Sequence, residues 1–181
     1  MAEFLYELRI PKDRIAVLIG KKGEVKREIE ETTNTSLDID SKEGDVFIKG
    51  EDALGLYSSR EVIKAIGRGF NPEIALLLLK PDYAYEVITL TDYTKGSKNT
   101  LIRIKGRVIG KEGKARGIIE ELTECNITVY GKTIGIIGLA ENTSVARRAI
   151  ESLITGSKHA NVYKWLEKKR RDSRYNDMTK I

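Results

Sequence analysis

Apolar residues along this chain recur with two periods, which indicates a mixture of strands and helices. In the first half, alternating runs at residues 4–10, 36–40 and 46–48 predict strands. Helical spacing predicts a short helix at 11–19, a second one after residue 23 and a longer one at 53–68. The order is strand, helix, helix, strand, strand, helix. The second half repeats it at residues 86–90, 101–109, 114–123, 126–130, 133–137 and 142–155. The sequence therefore predicts an α+β (α/β) fold in two successive units.

The order recurs because the sequence itself is duplicated. When residues 19–40 are placed over residues 109–130 without gaps, eight of the 22 positions are identical. Conservative apolar pairs such as Leu37 with Ile127 fall where a core is expected. We predict a first domain at 1–70, a helical linker at 71–82, a second domain at 83–156, a basic C-terminal helix at 157–171 and a disordered tail at 172–181.

Each copy places a Gly-x-x-Gly turn between its two short helices. The turns are Gly20–Gly23 and Gly110–Gly113, and each contains at least one lysine. A third pair, Gly135 and Gly138, lies in and just past a strand, and we interpret it as structural, a bulge and a strand end. Only the first two pairs recur in register beside matched apolar positions, so they are the candidates for function.

A side-chain-free turn in front of a helix suits the backbone of a single-stranded nucleic acid. Backbone N–H groups approach a phosphate closely where no Cβ intervenes, and a helix N-terminus attracts anions. The predicted RNA-binding residues are Gly20, Lys21, Lys22, Gly23, Arg103, Arg107, Gly110, Lys111, Glu112, Gly113, Lys114 and Arg116. Apolar residues beside the turns are predicted to form a floor for the bases, the base groove: Ile19, Val25, Ile29, Ile39, Ile109, Ile119 and Val129.

Charge is unevenly distributed along the chain. Residues 1–80 hold 13 Lys/Arg against 15 Asp/Glu, whereas residues 81–181 hold 19 against 12. A basic half suggests a polyanionic partner. Around the turn of the second copy the basic side chains meet only Glu112, while carboxylates interleave with the lysines of the first copy. We therefore expect phosphate attraction to favour the second copy.

Several classes of function are disfavoured by composition. Cys125 and His159 are the single cysteine and histidine, too few for a disulfide framework or an ordinary zinc site. Gly131-Lys132-Thr133 ends like a phosphate loop, but Asn126 stands where the earlier glycine is required. No signal peptide or membrane-length apolar run is evident. We expect no metal, no cofactor, no catalytic residue and a cytoplasmic location.

The repeated turn and the strand-first order resemble KH domains of type I (eukaryotic type), whose GXXG loop clamps about four nucleotides. The stretch GRVIGKEGKARGIIEELTECNITVYGKTIGIIG and the later VARRAIESLITGSKHANVYKWLEKKRR are similar to archaeal members of the Partner of Nob family. The resemblance implies tandem KH domains that bind single-stranded small-subunit (16S) rRNA near its 3′ end during ribosome assembly, without catalysis. It names the Nob endonuclease and pre-small-subunit proteins as candidate partners, with no membrane and no small-molecule substrate.

Two other interpretations stay open at this point. A general KH-type adaptor in translation or RNA decay has the same turns, and a protein scaffold with vestigial KH units predicts no measurable RNA affinity. The sequence also leaves open whether the first copy grips RNA or only packs. Trp165, on the C-terminal helix, either stacks on a base or packs on the second unit.

Overall fold

The protein divides into two compact units, Met1–Tyr85 and Glu86–Ile181, in a computed structural model that describes residues 4–179. Each unit is a three-stranded sheet with helices packed against it. The predicted α+β (α/β) fold in two successive units is therefore confirmed.

The first unit follows the predicted order. Its elements are β1 (Phe4–Arg9), α1 (Lys12–Ile19), a 3₁₀ turn (Lys21–Gly23), α2 (Glu24–Thr33), β2 (Ser36–Asp40), β3 (Asp45–Gly50) and α3 (Ala53–Gly67). The strands are antiparallel in the order β1-β3-β2. The Asp52 carboxylate begins α3 by accepting hydrogen bonds from the N–H groups of Leu54 and Gly55. The segment predicted as a linker forms α4 (Pro72–Ala75) and a 3₁₀ turn (Leu76–Leu79) within this unit.

The second unit repeats the order of strands and helices, with a four-residue helix added after its first strand and a long helix added at its end. Its elements are β4 (Tyr83–Thr89), α5 (Thr91–Thr94), α6 (Lys98–Ile109), a 3₁₀ turn (Lys111–Gly113), α7 (Lys114–Thr123), β5 (Asn126–Tyr130), β6 (Thr133–Leu139), α8 (Ala140–Ile154) and α9 (His159–Thr179). The sheet order is β4-β6-β5. The helix predicted at 101–109 begins three residues earlier, because the Ser97 hydroxyl caps α6 by accepting from the Thr100 N–H.

Matched residues of the two copies form the two cores. Leu18, Ile29 and Ile48 of the first unit are fully buried, as are Val108, Ile119 and Ile136 of the second. The strand register agrees as well, because Leu37 pairs with Ile48 and Ile127 pairs with Ile136. The apolar positions retained in both copies are therefore the ones that each unit must bury.

An arginine in each unit donates hydrogen bonds to carbonyls at the end of a helix, α3 in the first unit and α8 in the second. Arg14 donates from Nε to the Ile66 carbonyl at 2.8 Å and from Nη2 to the Phe70 carbonyl at 2.7 Å. Arg107 does the same with the carbonyls of Leu153 and Ser157, at 2.8 and 2.5 Å. The carbonyls of Ile66 and Leu153 also accept from the backbone N–H groups of Gly69 and Gly156, so the guanidiniums add a second donor at helix ends, where carbonyls lack a full set of partners within the helix.

The third glycine pair is structural, but it is not a bulge. Gly135 pairs with Thr128 in an uninterrupted register, and both glycines are buried inside β6. A Cβ at Gly138 would lie 2.6 Å from the Cys125 sulfur, so glycine is required there by packing.

The C-terminal helix is longer than the sequence predicted. A disordered tail was expected from residue 172, but α9 continues to Thr179, and residues 180–181 lie outside the described part of the chain. Trp165 packs against the core of the second unit, and the Arg148 guanidinium lies 5.2 Å from its ring centroid. The packing role of Trp165 is thus the one observed.

Candidate nucleic-acid interface

The two Gly-x-x-Gly turns have nearly the same backbone conformation. Gly20 has φ 74° and ψ 176°, and Gly110 has φ 73° and ψ 176°. The third residue is left-handed in both turns although it is not glycine, with φ 51° at Lys22 and 53° at Glu112. Gly23 and Gly113 follow at φ 76° and 77°. The two copies therefore share the backbone conformation of the turn as well as its Gly-x-x-Gly sequence.

The first glycine of each turn is required by packing within the protein. A Cβ at Gly20 would lie 2.5 Å from the Val25 Cγ2 atom, and one at Gly110 would lie 2.6 Å from the Ala115 Cβ atom. Their backbone conformation is also one that only glycine adopts readily. These two glycines let the preceding helix approach the first turn of the next one.

The second glycine of each turn faces open space. No atom lies within 4 Å of the Cβ that would be added at Gly23 or Gly113. These glycines are the N-caps of α2 and α7, and no side chain caps either helix, whose residues are all described. Helix N-termini expose N–H groups and a partial positive charge, which suit a phosphate. The absence of a side chain there leaves room for an approaching ligand.

The predicted basic residues fall into two groups. Lys21, Lys22, Lys111 and Lys114 are exposed at the turns, together with Glu112, and Arg103 is exposed on α6. Arg116 is exposed and lies 3.9 Å from the Glu120 carboxylate. Arg107 differs, because its guanidinium is committed to the end of α8. We therefore withdraw Arg107 from the predicted RNA contacts.

The predicted base groove is smaller than the sequence suggested. Ile29 and Ile119 are fully buried and Val25 is only 8% exposed, so these three belong to the core and cannot form a floor for bases. Ile19, Ile39, Ile109 and Val129 are half-buried. Each unit is left with one such residue at the end of a helix and one on an edge strand, β2 or β5.

The edge strands differ in charge between the copies, a contrast that the sequence analysis missed. Asp38 and Asp40 flank Ile39 on β2, whereas Thr128 and Tyr130 flank Val129 on β5. The signal was present in the ungapped superposition of the two copies, where both flanking positions change from a carboxylate to an uncharged residue. Carboxylates beside the groove disfavour a phosphate backbone in the first unit.

Both units match family models of known proteins. A model described as "KH domain" matches residues 5–68, and one described as "Eukaryotic type KH-domain (KH-domain type I)", for the second domain of PNO1 proteins, matches residues 84–171. A KH domain-containing protein of Methanocaldococcus jannaschii is 50% identical over 167 residues, which is 90% of this chain and 73% of that protein. The chain belongs to the Partner of Nob family of tandem KH-domain proteins.

Other members of the Partner of Nob family connect it to ribosomal RNA. Dim2p from Pyrococcus horikoshii, in the crystal structure of an a/eIF2alpha–aDim2p–rRNA complex, is 45% identical with a TM-score of 0.86, over 94% of this chain and 96% of that one. A "Pre-rRNA-processing protein" of Coccidioides immitis is 34% identical over 62% of this chain and 44% of its own length.

The described residues hold neither a metal site nor a membrane span. In residues 4–179 no three His, Cys, Asp or Glu side chains are grouped as metal ligands. Within the same range, every helix is too short or too polar to cross a bilayer.

Proposed function

We propose that this Partner of Nob protein binds single-stranded RNA through the turn of its second unit, at the 3′ end of 16S rRNA, during small-subunit assembly. The open glycine of a twice-preserved turn carries the proposal. Gly113 exposes the N-terminus of α7 to solvent between Lys111 and Lys114, so that a phosphate meets N–H donors and ammonium groups together. The names of the relatives, which mention rRNA and pre-rRNA processing, support the choice of RNA.

The second unit is the stronger candidate because its surroundings repel phosphate less. The strand beside its groove carries Thr128 and Tyr130 in place of Asp38 and Asp40, and the half of the chain that contains it is the basic one. Half-buried Ile109 and Val129 offer apolar contact to a base, and the edge strand β5 offers backbone donors and acceptors to base edges.

Binding and positioning account for the role without a reaction. KH units recognise RNA by their fold, and the turn places N–H donors and lysines around a phosphate but no activated nucleophile. We infer that the protein holds the rRNA end while other factors, with the Nob endonuclease as the candidate nuclease, act on it.

A matched pair of variants tests the proposal. Gly113→Asp and Gly23→Asp each add a carboxylate at an open position of the same conformation, which aspartate tolerates better than most residues. Filter binding with a labelled single strand from the 16S 3′ end should show a loss of roughly 10- to 100-fold for Gly113→Asp, the value of about 1.5–3 kcal/mol for charge-assisted hydrogen bonds. Gly23→Asp should lose less.

The reverse order of the two variants would contradict the assignment to the second unit. RNA crosslinked to the protein in cells tests the biological role separately. Enrichment of the 16S 3′ end is expected, and a broad spread over mRNA would favour a general adaptor instead.

A further inference from the structure

The first unit carries an exposed apolar cluster that RNA binding by the second unit does not use. We call it the aromatic edge, and it consists of Phe4 and Tyr6 on β1 with Leu54, Tyr57 and Arg60 on α3. Phe4 is 50% exposed, Tyr6 37%, Leu54 71% and Tyr57 55%. Phe4 and Tyr6 alternate onto the same face of β1, and Leu54 and Tyr57 lie one helical turn apart.

Arg60 joins the two sides of the aromatic edge. Its guanidinium carbon lies 5.1 Å from the centroid of the Tyr6 ring and 5.0 Å from that of Tyr57. The Arg60 Nη1 atom is also 3.4 Å from the Tyr6 hydroxyl. The two rings and the guanidinium are therefore arranged before any partner arrives, which lowers the entropic cost of binding.

The second unit shows that the fold does not require such a surface. Helices α3 and α8 both have 15 residues and begin with alanine, at Ala53 and Ala140. At the positions of Leu54 and Tyr57, α8 carries Glu141 and Ser144, both exposed. Arg147 stands in the place of Arg60 and contacts two carboxylates, those of Glu86 at 3.1 Å and Glu151 at 2.9 Å. Exposed apolar side chains at these positions are thus particular to the first unit, and such clusters commonly mark binding sites.

The composition of the aromatic edge is that of a protein interface. Tyrosine and arginine are enriched among the residues that contribute most to protein–protein affinity. β1 is an edge strand, hydrogen-bonded in its sheet to β3 alone, so its other side presents backbone donors and acceptors. An extended segment can pair with such an edge.

Charge decides between a protein and an RNA partner. Three carboxylates lie just before and in the middle of α3, those of Glu51, Asp52 and Glu61, whereas Glu7 lies on the face of β1 opposite Tyr6. The two cations of α3, Arg60 and Lys64, both lie beside the Glu61 carboxylate, at 3.1 and 3.6 Å. A phosphate backbone would meet net negative charge at this surface, whereas lysine and arginine side chains would be attracted.

We propose that the aromatic edge is a docking site for a partner protein, which adds an extended segment beside β1. The segment has apolar side chains at alternate positions, because one face of a strand packs on Tyr6 and Tyr57, and it has lysine or arginine at its flanks. This site is independent of RNA binding by the second unit.

The test is a selection of short random peptides on the full-length protein. The counter-selection uses Leu54→Glu/Tyr57→Ser, which installs the residues of α8 at the matching positions of α3 and is therefore expected to fold. We expect enriched peptides with alternating apolar residues and basic flanks, and about tenfold or weaker binding of each to the double variant, as for the loss of a hot spot. Arg60→Lys keeps the charge but loses the planar stack, so it should weaken the same peptides several-fold.

Four outcomes would overturn the proposal. The first two are a selection that yields no peptide preferring the wild-type surface and a selection that enriches acidic peptides. The third is a fall in RNA affinity in the double variant, which would assign the aromatic edge to RNA. The fourth is a wild-type dimer in sedimentation that the double variant abolishes, which would make a second copy of the chain the occupant. Circular dichroism of both variants verifies that a loss of binding is not a loss of fold.

Discussion

The two glycines of a single turn should respond very differently to the same added methyl group. In Gly110→Ala the residue would have to keep a conformation that non-glycine residues rarely adopt, at a cost of about 1–3 kcal/mol. The new Cβ would also lie 2.6 Å from the Ala115 Cβ and 2.7 Å from the Ala115 nitrogen. Because that neighbour belongs to the first turn of α7, relief of the overlap costs about another 1–3 kcal/mol. We expect a total of about 2–6 kcal/mol.

Gly113→Ala meets no atom within 4 Å and keeps only the left-handed backbone, with φ 77°. Its expected cost is about 1–2 kcal/mol. The methyl group nevertheless enters the space that we assign to the RNA backbone. Gly113→Ala should therefore impair RNA binding more than stability, and Gly110→Ala should do the opposite.

Urea unfolding followed by the fluorescence of Trp165 measures the stability part. Trp165 is the single tryptophan and packs on the core of the second unit, so it reports on that unit. With a slope of about 2 kcal/mol per molar urea, Gly110→Ala should lower the midpoint by about 1–3 M, and Gly113→Ala by roughly 1 M or less. Equal shifts of the urea midpoint for the two variants, or no shift for Gly110→Ala, would refute the assignment of Gly110 to packing and of Gly113 to RNA binding.

Three further predictions concern the second unit. Gly117→Ala, at an exposed position inside α7 with open space around it, should raise stability by about 0.5–1 kcal/mol; a loss on urea unfolding would contradict this. Arg107→Ala should lower stability by about 1.5–3 kcal/mol and leave the RNA affinity of the folded protein unchanged. Lys111→Ala should leave stability unchanged and reduce the slope of log affinity against log salt by about one. A loss of RNA affinity in Arg107→Ala together with a loss of stability in Lys111→Ala would reject both assignments. Burial raises the pKa of the Cys125 thiol from 9.0 to about 11, so at pH 8 it should react roughly a hundredfold more slowly with a thiol reagent than an exposed cysteine, until urea unfolds the unit; fast reaction of the native protein would disagree.

The sequence predicted the elements and the turn well because each occurs twice, so that every assignment could be compared between the two copies. A position such as Ile29 with Ile119 is apolar in both copies for the same reason, burial in a core. That reason also explains the errors in the base groove. Helical spacing shows that a residue faces inward, but it does not distinguish a fully buried side chain from one at the rim of a cleft, and Val25 was misassigned in the same way.

The role of a charged side chain, by contrast, was predicted wrongly where its hydrogen-bond partners are distant in the sequence. Arg107 lies among the basic residues of the second copy, and its charge alone suggested RNA. Its true partners are carbonyls more than forty positions away, which no pattern along the chain reveals. The end of α9 was missed for a different reason: residues 172–179 are all exposed and hold only Tyr175 and Met178 as large apolar side chains, too few to set the apolar period by which a helix is recognised.

The hydrogen bonds of Arg14 and Arg107 to the ends of α3 and α8 have a consequence for which parts of the two units can be exchanged. Arg14 superimposes on Ile104 in the repeat, and Arg107 superimposes on Val17, yet both reach the same carbonyl position from sites one helical turn apart. The two units therefore make the same contact from different positions of the repeat. A chimera that exchanges α1 for α6 would keep an arginine in each unit. That arginine would stand one helical turn away from the position that contacts the helix end in the receiving unit. An exchange between the two units should therefore move α1 together with the end of α3, or α6 together with the end of α8.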